Sequence, residues 1–229
     1  MQLYEKIKGE SNKEYAYRVL KSNIMNLDLK PGEGLSETDI AERLGLSRTP
    51  IREVVMKLKE DHLIEVIPQR GTYISLIDKD LMNEGTFMRT VLEKEVLKLA
   101  CVSFPEESID ELEKNLFAQK LASGKENSKM EMHRLDQEFH EIIFRGVNMI
   151  NIWESIQKIS SHYNRVRLLS ELSKSTIHIS DEHEKILNII KTKDISSVEY
   201  IIDLHIKKPT EKWGELYAEG SEFNQFFKK

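Results

Sequence analysis

Residues 35–74 read LSETDIAERLGLSRTPIREVVMKLKEDHLIEVIPQRGTYI, and the order of signals in them decides the fold. Ser36 is placed to cap a helix whose first turn carries Glu37 and Asp39, where the helix dipole favours negative charge. Ile40, Ala41 and Leu44 share one face of that helix, and Gly45 ends it. Ser47 then offers its hydroxyl as the cap of a second helix starting at about Arg48. Pro50 falls in the first turn of this helix, where its missing N–H has no partner to lose.

Ile51, Val54, Val55, Leu58 and Leu63 follow helical spacing and must face a small core, which leaves Arg48, Thr49 and Arg52 on the outward side. An arginine at such a helix start can bond both acceptors of a guanine in the major groove, while hydroxyls and amides beside it hold phosphates. Ile64–Pro68 and Thr72–Ile77 predict two short strands around a Gln69-Arg70-Gly71 tip, a hairpin that sets Arg70 beside a duplex. This is the pattern of a winged helix-turn-helix. A plain helical hairpin with surface arginines has no need of a cap, a glycine turn, a Ser-Arg-Thr-Pro start and a basic glycine wing in that order.

The segments KPGEGLSETDIAERLGLSRTPIREVVMKL and PQRGTYIS resemble the DNA-binding domain of the GntR family of bacterial transcription regulators. The resemblance implies that Ser47, Arg48, Thr49 and Arg52 contact DNA from the recognition helix, and Arg70 and Gly71 from the wing. Two residues depart from the family pattern. Thr38 stands where some members use an arginine against the DNA, and His62 stands where a glycine usually closes the recognition helix.

The chain has 229 residues, 39% of them apolar and 32% charged, which is ordinary for a soluble protein of two modest domains. No apolar run approaches a membrane span and MQLYEKIKGE has no signal-peptide core, so a cytoplasmic location is expected. Cys101 is the single cysteine, excluding an internal disulfide, and its context LKLACV points to core packing. A net charge of −5 argues at first against a nucleic-acid partner. Residues 1–75, however, hold 12 Lys+Arg against 12 Asp+Glu, so the acidic excess lies in the rest of the chain. A neutral unit with arginines gathered at one helix end and one wing tip can bind DNA, with strong salt dependence.

Ser11 and Glu14 form a capping box for a first helix behind the reading unit. Asp78-Lys79-Asp80 follows the wing and sets the expected boundary, with a DNA-binding domain over 1–77 and an all-helical effector, metal-binding and dimerisation domain over 78–229. The fold expected is mostly α, the second part an antiparallel bundle. Its helices are read at about 80–101, 106–122, 128–146, 150–172, 180–192 and 195–218. Ser108-x-x-Glu111 and Ser196-x-x-Glu199 read as capping boxes, and 123–128 as a polar loop. The tail SEFNQFFKK reads as a loosely held terminus, unless Phe223, Phe226 and Phe227 dock on a partner subunit.

Asp136 and His140 are spaced i, i+4 and can chelate one ion from one helix face, with His183 and His205 supplied by two later helices. One carboxylate and three imidazoles suit zinc, nickel or manganese. Buried polar residues bonded to backbone, or a surface ion pair, would leave the same spacing. The pieces LDQEFHEII, DEHEKILNII and IIDLHI resemble the metal-binding motifs of the FCD ligand-binding domain of the FadR-like branch of the GntR family. The resemblance implies that Asp136, His140, His183 and His205 ligate a divalent metal. Arg89, in Met88-Arg89-x-x-x-Glu93, resembles a residue that meets an acidic effector; Arg165 and Arg167 are equal candidates, and an ion pair with Glu93 is the other reading of Arg89.

The leading expectation is a ligand-responsive repressor acting as a homodimer on a pseudo-palindromic operator; the resemblance implies that it controls a catabolic operon and senses a small organic acid such as a sugar acid. It is expected not to be an enzyme. A metallohydrolase fused to a DNA anchor is the alternative from another class, with Glu138 and Glu182 near ligands as possible bases. In a third reading the metal itself is the signal.

Overall fold

The computed structural model describes residues 1–123, 128–173 and 179–229; most of the polar loop expected at 123–128 lies outside them. The chain forms two compact units, Met1–Asp80 with Tyr217–Lys229, and Leu81–Leu216.

In the first unit, α1 (Asn12–Met25) starts on the capping box, Ser11 accepting from the Glu14 N–H and Glu14 from the Ser11 N–H. α2 (Glu37–Leu44) is capped by Ser36 and closed by Gly45 at φ 65°, a left-handed turn that glycine takes without steric cost. α3 (Arg48–Glu60) follows. Val19, Leu20 and Ile24 of α1 meet Ile40 and Leu44 of α2 and Ile51, Val54 and Leu58 of α3 in one buried core. β2 (Ile64–Ile67) and β3 (Gly71–Ile74) form the antiparallel hairpin, with Ile64 opposite Ile74 and Ile67 opposite Gly71. A strand not foreseen, β1 (Gly34–Leu35), pairs with the other edge of β3.

The tail is not loosely held. Ile77 donates to the Phe226 carbonyl at 2.8 Å and accepts from the Lys228 N–H at 2.9 Å, and Lys228 pairs with Asp78. Phe227 is 4% exposed and packs against the ring of Tyr217. Burial of one aromatic ring and a short parallel bridge supply what a charged, polar sequence pattern did not announce.

His62 takes φ 59° just after α3, the conformation a glycine would hold there. That geometry costs a side-chain-bearing residue about 1–2 kcal/mol, and the larger unfolded-state entropy of glycine offsets part of it. His62→Gly is therefore expected to stabilise this unit by about 0.5–1 kcal/mol in thermal unfolding. A lowered melting point would show that contacts of the imidazole outweigh the backbone strain.

The second unit is helical throughout the described residues: α4 (Lys79–Val102, from its third residue), α5 (Glu106–Ser123), α6 (Lys129–Gly146), α7 (Ile150–Ile159), α8 (Ser161–Ser173), α9 (Ile179–Thr192) and a broken final segment. The helix expected over 150–172 bends at Ser160, whose side chain lies 3.3 Å from where a Cβ on Gly85 would stand. Residues 161–169 are all buried, so α8 is surrounded by other helices. The helix expected over 195–218 is instead a 3-10 turn, α10 (Val198–Ile202), a π turn over Asp203–Lys207, α11 (Lys208–Glu211) and a further 3-10 turn. Pro209 explains the π turn: it has no N–H for the His205 carbonyl, and Lys208 bonds back five residues to Asp203. Neither Ser108 nor Ser196 caps as expected; α5 starts before Ser108, and Asp194 accepts from the Ser196 and Ser197 hydroxyls. Cys101 is fully buried, and burial raises its thiol pKa.

Candidate functional site

At the start of α3, Ser47, Arg48 and Thr49 are exposed, and Arg52 follows one turn on with its side chain 71% exposed. Ser47 occupies the cap position in an extended conformation but makes no side-chain cap bond, contrary to expectation. The exposed Ser47, Arg48 and Thr49 thus stand at the positive end of the helix dipole, a place suited to phosphate. Arg52 meets Glu37 at 3.2 Å, an exposed pair that a base edge can replace at little cost. Arg70 is exposed at the hairpin tip, where Gly71 has φ 121° and Tyr73 donates its hydroxyl to the Arg70 carbonyl. Thr38 is half-buried on α2.

In the second unit, Asp136 and His140 on α6, His183 on α9 and His205 in the π turn offer ligand atoms that lie within 4.8 Å of one another, all of them buried. His140 Nε2 is 3.0 Å from His205 Nε2, and His183 Nε2 is 3.3 Å from both His205 Nε2 and Asp136 Oδ1. Each Nδ1 faces outward to an acceptor: Glu93 at 2.7 Å from His140, Gln119 at 2.9 Å from His183, and Glu182 at 2.8 Å from His205. The donor set is therefore three Nε2 atoms and a carboxylate oxygen, which fits a borderline divalent cation. Burial lowers the pKa of His183 to about 4 and that of His205 well below its usual value, so both imidazoles are neutral at neutral pH, as ligands must be. Burial alone would raise the Asp136 pKa, but the Arg167 guanidinium and the imidazoles hold it well below the carboxylate range.

A cavity of about 370 Å³ opens on this cluster, lined among others by Tyr163, Arg167, Glu171, Glu182, His205 and Trp213. Arg167 donates to Asp136 and to Glu171 yet leaves Nη1 without a partner among the described residues. Arg89 is fully buried, with Nε bonded to Glu93 at 2.6 Å and both Nη atoms likewise without one. Its guanidinium lies 4.9 Å from the ring centre of Tyr163, so Arg89 is both an ion-pair partner of Glu93 and a source of open donors. Arg165 is also buried, bonded to His162 Nδ1, and desolvation lowers its pKa to about 9. It does not line the cavity.

The sequence reading missed Gln119, and gave Glu93 and Glu182 other roles. A signal existed for Gln119: it stands with Asn115 on the stripe of α5 that carries Leu112 and Leu116 into the core. The two carboxylates considered as hydrolytic bases are otherwise engaged, Glu138 with Arg134 and Asn115, and Glu182 with His205.

Residues 12–74 match the family described as bacterial regulatory proteins, gntR family, and residues 84–208 match the FCD domain. The chain is 28% identical over 213 residues to the HTH-type transcriptional repressor RspR of Escherichia coli, covering 90% of this chain and 91% of that protein. It is also 28% identical over 230 residues to the gluconate operon transcriptional repressor of Bacillus subtilis, covering 95% and 93%. Among solved structures, Escherichia coli McbR/YncC superposes with a TM-score of 0.77 at 21% identity, over 91% of this chain and all of that one. The match over more than half of the chain, the reading helix with its wing and the helical unit with its buried Asp/His cluster lead to one conclusion. The chain belongs to the GntR family of bacterial regulatory proteins, in the branch carrying an FCD domain, and is a DNA-binding transcription regulator rather than an enzyme.

Proposed function

We propose that this regulator is a repressor of a catabolic operon that acts in the cytoplasm and is controlled by a small organic acid bound beside a divalent metal. The observation that carries the proposal is the sharing of His205 and Arg167 between the Asp/His cluster and the cavity. Asp136, His140, His183 and His205 would hold zinc, nickel or manganese, and the cation would supply Lewis-acid attraction for a carboxylate. The chain's own residues do the rest. Arg167, which lines the cavity, offers an open donor to the same carboxylate; Arg89, buried behind the lining with open donors of its own, and the buried Arg165 are the further candidate contacts. Glu171, Glu182 and Ser170 give the cavity acceptors that suit a hydroxylated acid, in keeping with a sugar acid rather than a fatty acid.

Ser47, Arg48, Thr49, Arg52, Arg70 and Gly71 would contact the operator. One winged helix reads a short half-site, so a homodimer on a pseudo-palindrome is proposed, with residues 1–77 reading and the helical domain sensing and dimerising.

The test combines sedimentation with operator titration, using sites found by mapping occupancy on the organism's own genome. A dimer whose affinity for those sites changes on adding gluconate or a related sugar acid to metal-loaded protein supports the proposal. A monomer that binds a half-site as tightly as the full site overturns the dimer, and a response to metal with no acid present makes the metal the signal.

A further inference from the structure

We propose that Glu93, Gln119 and Glu182 are positioning residues that hold all three imidazoles with the proton on Nδ1 and the lone pair of Nε2 turned to the cluster, Gln119 being itself oriented by Asn115. The proposal rests on the metal reading above and adds what makes the ligands competent.

The orientation follows from one backbone carbonyl. The Leu135 carbonyl can only accept, so the Asn115 side chain must present Nδ2 to it, at 3.1 Å. Asn115 Oδ1 is then the acceptor for Gln119 Nε2 at 2.6 Å, which turns Gln119 Oε1 toward His183 Nδ1 at 2.9 Å. An amide oxygen accepts only, so His183 must carry its proton on Nδ1. Asn115, Gln119 and His183 are 5%, 0% and 0% exposed, so water does not compete for these bonds. Leu135 immediately precedes Asp136, and the helix that supplies two ligands thus also orients the third.

The other two imidazoles are held by carboxylates. Glu93 takes the His140 Nδ1 proton with Oε2 and the Arg89 Nε–H with Oε1. Its ion pair with the buried Arg89 guanidinium leaves Glu93 an acceptor. Glu182 takes the His205 Nδ1 proton at 2.8 Å and is the most exposed of the three partners, its side chain 19% exposed at the cavity wall. With every proton on Nδ1, none is left to bridge the 3.0 Å and 3.3 Å contacts between Nε2 atoms. Lone pairs and a carboxylate oxygen then face one another, an arrangement that a cation stabilises and a wrong tautomer would block. Removing such outer partners typically costs 10–100-fold in metal affinity.

The experiment uses the full chain stripped with a chelator, with cobalt and zinc affinity measured by competition and imidazole tautomers read from nitrogen-15 NMR. Gln119→Leu and Glu182→Ala are expected to bind each metal about 10–100-fold more weakly than wild type. Glu182→Gln keeps an acceptor oxygen and is expected to recover most of that loss. Gln119→Glu still accepts from His183 but can no longer donate to Asn115, so its metal-free form should melt lower while metal affinity is kept; a packing role alone would move both together. Should Gln119→Leu fail to fold, the two Glu182 variants decide. Glu182→Ala and Gln119→Leu both binding as tightly as wild type, or an Nε2–H tautomer at these histidines in the metal-free wild type, would overturn the assignment. Wild type that binds neither metal overturns the metal reading and this proposal together, whereas a binding wild type with unaffected variants overturns this proposal alone.

Discussion

Replacing His183 and His205 together by alanine is expected to abolish the rise in melting temperature that the proposed divalent metal would give the wild-type protein. His183 is the centre of the cluster: its Nε2 lies 3.3 Å from both Asp136 Oδ1 and His205 Nε2, and its ring is stacked on Phe139 at 4.0 Å. Asp136 and His140 remain on one turn of α6 in the variant, but two ligands from one helix exist in any state that forms that helix. The others come from separate helices, so the complete site is present only in the folded bundle, and binding to it stabilises the native state alone. At a metal concentration about 1,000 times the dissociation constant this is worth about 4 kcal/mol, or roughly 10 °C for a protein of this size. Calorimetry with and without chelator reads the difference directly. An equal metal-dependent shift in wild type and the double variant would remove these residues from the site, leaving the helical domain to sense by packing alone.

Operator binding should respond as strongly to Arg48 and Arg52. Each alanine substitution is expected to reduce specific affinity by about 1–3 kcal/mol if the side chain pairs with a guanine, and the double variant by a factor between tens and tens of thousands. Folding should be unaffected, because Arg48 is exposed and the pair of Arg52 with Glu37 is an exposed one. Arg70→Ala differs in kind. Its place at the wing tip makes a phosphate contact the expectation, so affinity should fall similarly for operator and scrambled duplex, with a shallower salt dependence. Fluorescence anisotropy on both duplexes at several salt concentrations separates these outcomes. An Arg48→Ala, Arg52→Ala variant that still prefers the operator as wild type does would move the reading face elsewhere.

Much of the architecture was legible because its signals are short-range. The Ser11–Glu14 box, the Ser36 cap and the left-handed Gly45 are each decided within one helical turn, and the structure realises all three. The same locality explains where reading failed. Ser47 and Ser196 have the residue type for a cap but not the bond, since the hydroxyl of one makes none and Asp194 accepts from the other. Pro209 did carry a warning, because proline inside a helix leaves the carbonyl four residues back without a donor; that carbonyl is His205's. The resulting π turn sets His205 among the donor atoms of Asp136, His140 and His183, and the uninterrupted helix read over 195–218 was the wrong simplification.

Taken alone, the sequence determined the reading unit, the helical character of the rest and the i, i+4 pairing of Asp136 with His140, because periodicity and capping act between residues a few positions apart. Only the tertiary structure decided which arginine faces the cavity, since residues 161–169 of α8 are all buried and its neighbours Arg165 and Arg167 look alike in sequence. It also decided the Nδ1 partners of the histidines: Gln119 meets His183 across 64 positions and Asn115 meets Leu135 across 20. Contacts at such separations depend on how helices cross and pack, a property of the assembled core that no single turn of sequence encodes.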